Sequence, residues 1–192
     1  MVTPAYRLNI FGFFALDPGI SPGNYGLLDQ VAALDWVNDK ISEFGGSKDN
    51  ICIMGHGAGA TSVSLHMISP LSKGKFRRAI AMSGSAFSTS LPSIADVHPY
   101  KNINCEDSKN NKDLIVCLRN LEALPLVEDA WNKYEWGPVV DFNDRFLPKQ
   151  PEEFFQAAEY HKVCSIKFNA TYFLQIIHVI TPYYVEGIAQ KK

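Results

Sequence analysis

With 192 residues, 46% hydrophobic and 20% charged, the chain is long enough for one ordinary folded domain and too apolar for a disordered one. Its formal net charge of −2, with the basic residues scattered, excludes the electrostatic footprint of a nucleic-acid binder. No apolar run reaches the roughly 18 residues that a membrane-spanning helix needs.

In chain order, the start at Met1-Val2-Thr3-Pro4 has no basic, apolar leader pattern and reads as the inside of a domain. Residues 7–16 are apolar and aromatic, which predicts a buried strand and its exit. Asp17-Pro18-Gly19 and Ser21-Pro22-Gly23-Asn24 then mark a turn-rich loop. Leu27, Val31, Leu34, Val37, Ile41 and Phe44 recur at three- and four-residue spacing, the signature of one helix face. Gly45-Gly46 is the expected stop. Asn50 to Met54 is a short apolar run suited to a central parallel strand, with Cys52 expected as a small buried hydrophobe. After a sharp glycine-rich turn, a second helix is predicted through Val63 and Met67, ending at Ser69-Pro70. Ala79 to Met82 predicts another buried strand.

Strand, helix, strand, helix, strand is the pattern of a parallel sheet. The predicted fold class is therefore α/β. Past Ala86 the periodicity weakens. Short helices are expected at residues 114–121 and 151–160, with Glu152 and Glu153 favourably placed in the first turn of the second. The segment from Trp136 to Asp141 reads as extended. Of the four cysteines, none has the close spacing of a zinc site, and no metal or cofactor is expected. Cys105 and Cys117 bracket a polar loop; spacing alone leaves a bridge and two reduced thiols equally open.

The chemistry concentrates at Gly55-His56-Gly57-Ala58-Gly59. A strand, a G-x-S-x-G turn and a helix form the nucleophile elbow of α/β-hydrolases, in which the central serine is held exposed before a helix N-terminus. Here the flanking glycines are present and the centre is Gly57, which has no attacking atom. His56 most simply fills a variable position, and Ser62, further along the helix, reads as a structural hydrogen-bonding residue.

Several further segments carry a family resemblance. Tyr6-Arg7-Leu8, Pro22-Gly23-Asn24-Tyr25-Gly26-Leu27-Leu28-Asp29-Gln30, Ala33-Leu34-Asp35-Trp36-Val37, Phe44-Gly45-Gly46, Ser83-Gly84-Ser85, Gly137-Pro138-Val139 and Phe146-Leu147-Pro148 stand in order along the chain. Together they resemble the cholinesterase/type-B carboxylesterase branch of the α/β-hydrolase fold over residues 6–161. The resemblance implies a partial α/β-hydrolase domain over 1–163, a mostly parallel sheet with helices on both faces, and a weakly family-like or divergent tail over 164–192. By the family's spacing, the oxyanion-hole glycines fall before Met1 and the catalytic histidine beyond Lys192. Lys167 to Leu174 is weakly similar to the segment carrying the acidic triad member, which would put Asn169 at the acid position. Asn169-Ala170-Thr171 is also a glycosylation sequon for a secreted chain. Cys117-Leu118-Arg119 resembles the family's disulfide-bearing segment, which implies a Cys105–Cys117 bridge and a secreted or plasma-membrane parent.

With Gly57 at the elbow centre, the resemblance implies a non-enzyme: a catalytically dead, neuroligin- or gliotactin-like adhesion ectodomain that binds protein partners at cell junctions. Any membrane attachment would lie outside this chain. The alternative is a piece of a carboxylesterase, a serine ester hydrolase, whose activity is lost or whose gene model is faulty.

Overall fold

The computed structural model describes residues 1–87, 91–92, 105, 107–133, 135–141 and 145–168. Its frame is a three-stranded parallel sheet, ordered β3 (Cys52–His56), β4 (Arg78–Met82), β5 (Cys164–Phe168). Cys52, Arg78 and Cys164 share one row, and Met54, Ile80 and Ile166 another. This is the α/β architecture of a partial α/β-hydrolase fold. β4, rather than the expected Asn50–Met54 segment, occupies the centre of the described sheet.

Side chains alternate across the sheet. Ala79 and Ala81 are buried with Ala60, Val63 and Met67 beneath α3 (Ala58–His66). The opposite row is open: Met54 is 58% and Ile166 49% exposed. Cys52 lies on that open face and is exposed, against expectation. The strand's apolar run gave no sign of which face was covered. β5 falls within the 164–192 segment and completes the sheet beside β4.

Residues 7–16, expected as a strand, instead form a short helix, α1 (Asn9–Phe13), and the first arm of a hairpin, β1 (Ala15–Asp17) with β2 (Ser21–Pro22). Backbone bonds from Gly12 N to Leu8 O and from Phe14 N to Ile10 O, 3.0 and 3.1 Å, satisfy locally the groups that a ladder would have paired. The predicted long helix is α2 (Tyr25–Lys40), followed by a 3₁₀ turn over Ile41–Phe44. Leu27, Val31 and Leu34 are buried, but the stripe fades, and Phe44 is 71% exposed. Gly45, at φ 77°, ends the element as expected.

A second layer comprises α4 (Asn111–Arg119), capped by the Asn110 side chain, and α5 (Ala123–Lys133). α5 was not anticipated; Leu126 and Ala130 pack it against Leu114, Leu118, Ile10 and Phe14. α6 (Pro151–Gln156) is shorter than expected and carries a capping box between Gln150 and Glu153. Among the described residues no helix is long and apolar enough to cross a membrane.

Cys105 and Cys117 are joined in a disulfide with Cα atoms 6.0 Å apart. It closes a loop of 12-residue separation, for which loop-closure entropy gives about 3 kcal/mol. Replacing both cysteines by serine is expected to lower unfolding stability by about that amount. Urea melts of the oxidised protein and the double variant would show it; coincident midpoints would contradict it.

Candidate functional site: the bend between β3 and α3

β3 delivers the chain to a bend at Gly57 and α3 leaves from Ala58. The bend is tight enough to fix its own composition. A Cβ on Gly55 would stand 2.2 Å from the Gly59 carbonyl oxygen, so no larger residue fits. Gly57 has φ 56° and ψ −118°, a conformation that side chains adopt only under strain. Nothing lies within 4 Å of where its Cβ would be. The space above residue 57 is open, and the backbone beneath it is shaped for a residue held outward. Gly57 N–H donates to Met82 O at 2.9 Å, which locks the bend to the exit of β4. There Ser83 has φ 56°, and Gly84 approaches so closely that its Cβ would sit 2.3 Å from Gly57 O. The sequence signal for this second wall was the Ser83-Gly84-Ser85 match; its contact with the bend was not legible.

At the helix start, the N–H groups of Ala58 and Gly59 have no intrahelical carbonyl to bind. The helix dipole places partial positive charge there. His56, the last residue of β3, is exposed. Ser62 donates its hydroxyl to Ala58 O at 3.1 Å and accepts from Gln30 Nε2 at 3.5 Å, so it braces the first turn of α3. Asn169 lies outside the described residues.

Two struts hold the surroundings. Arg7 grips Asp29 through Nε and Nη2, at 2.8 and 2.7 Å, and this pairing holds the Asp29 carboxyl below its ordinary range. Asn24, buried and left-handed at φ 57°, donates from Nδ2 to Val139 O and to Asp141 Oδ2, at 2.8 and 3.1 Å. Asp141 Oδ2 also accepts the N–H groups of Phe146 and Leu147, at 3.0 and 3.3 Å. Segments that the sequence could only match separately, Pro22 to Gln30 and Gly137 to Pro148, are thus clasped together.

A parallel sheet with a glycine-ringed bend between strand and helix defines the α/β-hydrolase class. The sequence profile described as the Carboxylesterase family matches residues 1–177, and the chain belongs to that family. It is 40% identical over 171 residues to the pyrethroid hydrolase Ces2a of Mus musculus, covering 86% of this chain and 30% of that protein. It is 41% identical over 166 residues to the cocaine esterase of Homo sapiens, covering 84% and 29%. It is 39% identical over 161 residues to esterase FE4 of Myzus persicae, covering 77% and 28%. The chain therefore spans under a third of the length of each of these relatives.

These relatives correct one expectation. The chain was read as a non-enzyme because of Gly57, yet proteins at this level of identity are named hydrolases and esterases. The single altered position does not set aside the family match over residues 1–177.

Proposed function

We propose that this chain is part of a carboxylic ester hydrolase and that Gly55 to Gly59 is its elbow. The bend carries the reading: φ 56° at residue 57, open space above it, and a helix N-terminus behind it. The named activities of the relatives support the same class. The N–H of Ala58 is placed to bind the oxyanion that develops on an ester carbonyl. Residue 57 offers no oxygen for an acyl-enzyme, so water adds to the bound carbonyl, and the tetrahedral oxyanion collapses to the acid as the alcohol departs carrying a proton from that water. Binding and oxyanion stabilisation without the serine leave on the order of 10³–10⁴-fold acceleration over water.

The cavity beside Ser85, bordered by Met67, Phe87 and Phe155, holds only about 60 Å³. Ligand sites span a few hundred Å³, so this cavity alone does not enclose a substrate. The Cys105–Cys117 bridge supports an oxidising compartment for the parent. A junctional adhesion role has no observation of its own in the structure, and the relatives' names favour the hydrolase.

The test is p-nitrophenyl butyrate hydrolysis by the intact protein. Saturable turnover on the order of 10³-fold above the water rate is expected, unaffected by a serine-directed phosphonate. A rate indistinguishable from buffer would refute the proposal.

A further inference from the structure

Away from the bend, two histidines that the chemistry above does not use meet where α3 ends. His66 is 4% exposed. Its Nδ1 lies 2.7 Å from Ser72 Oγ and its Nε2 2.9 Å from Gln30 Oε1, and its ring stands edge-on to Phe146 at 5.1 Å. The neutral ring with its proton on Nε2 satisfies both bonds: Nε2–H donates to Gln30 and Nδ1 accepts from the Ser72 hydroxyl. His161, half-buried, sits across the Ser69-Pro70 turn. Its backbone N–H donates to Met67 O at 2.8 Å, and its ring lies 6.0 Å from that of Phe76. Two residues on, the buried Val163 packs into the core beneath α3, and β5 begins at Cys164. Both Ser69 Oγ and His161 Nδ1 are buried without a hydrogen-bond partner.

We propose that His66 and His161 form an acid-sensitive latch that fastens the α6–β5 connection, and through it β5, to the end of α3. A proton on either ring adds a cation beside positive neighbours, His161 acting on His66 and Lys73 on His161, and a backbone hydrogen bond with Ser69 offsets this only in part at His161. Burial and the neighbouring His161 hold His66 down to about 4, and burial with Lys73 lowers His161. Carboxylates of α2 and of the segment after α6 have cationic partners of their own: Glu159 with Lys149, Asp35 with Lys75, Asp29 with Arg7. The sign follows from the depressed folded-state value. An opened chain takes up the His66 proton near its ordinary 6.5, whereas the closed latch refuses it until about 4. Closure is therefore complete above roughly pH 6.5 and is lost as pH falls toward 4.

Hydrogen exchange of the intact protein, corrected for intrinsic rates, tests this in peptides spanning 157–168. Exchange on the order of tenfold faster at pH 5 than at pH 7 is expected, with the difference abolished in His66→Gln/His161→Gln. An unchanged native rate, or a double variant that keeps the full difference, overturns the latch. Should the double variant fail to fold, the imidazole resonances of the native protein decide. A His66 titration midpoint held well below 6 supports the proposal, and one near 6.5 overturns it.

Discussion

Gly57→Ser in the intact protein is expected to raise ester turnover, by up to about a million-fold where a histidine base reaches residue 57, the factor lost when a complete serine triad is stripped of its nucleophile. The space is already present, since nothing lies within 4 Å of the new Cβ. The hydroxyl would stand at the head of α3, beside the Ala58 N–H proposed above to steady an oxyanion. The strain at φ 56° costs about 1–3 kcal/mol in a residue other than glycine. Gly57→Ala separates the two effects: it should melt as early as the serine variant while gaining no turnover. The readouts are kcat, a burst of p-nitrophenol and stoichiometric phosphonate labelling at residue 57. A serine variant that folds yet hydrolyses no faster than the native protein would show that the bend is not the reacting centre.

The second large effect is structural. Asp141→Ala removes the acceptor shared by Asn24 Nδ2 and by the N–H groups of Phe146 and Leu147. Asp141 is 1% exposed, so bulk solvent does not reach these donors. Each buried donor left unpaired costs about 1–3 kcal/mol, and Asn24 retains its bond to Val139 O. The expected loss is roughly 3–5 kcal/mol, measured by urea unfolding of the intact protein. Asp141→Asn keeps an oxygen at the critical position and should lose clearly less. A loss below about 1 kcal/mol for the alanine variant would mean that the clasp does not hold the fold.

The parts of the molecule legible in the sequence are those whose cause is local. The spacing of Leu27, Val31 and Leu34 announced α2, Gly45 announced the end of the 3₁₀ turn that follows it, and Ala79 to Met82 announced β4. Residues 7–16 misled because a short apolar run fits a strand or a buried helical turn equally well. α5 escaped because its apolar face is narrow, with Leu126 and Ala130 buried and Val127 partly so, and because Pro125 reads as a breaker, although the first turn of a helix tolerates it. Cys52 was misplaced because burial on a strand depends on which face is covered, and the sequence of the strand does not state that. At the site, the glycines and their order were readable. The approach of Gly84 to the bend, the clasp of Asn24 on Asp141 and the pairing of His66 with Ser72 join positions with no local signal between them.

The clasp between Asn24 and Asp141 links residues 117 positions apart, and this orders events during biosynthesis. Translation proceeds at roughly 5–20 residues per second, so Asn24 is polymerised about 6–23 s before its acceptor. Throughout that interval its left-handed backbone and its amide have no counterpart to fix them. α2 must wait, exposed to chaperones and proteases, for a loop synthesised much later to close over its start.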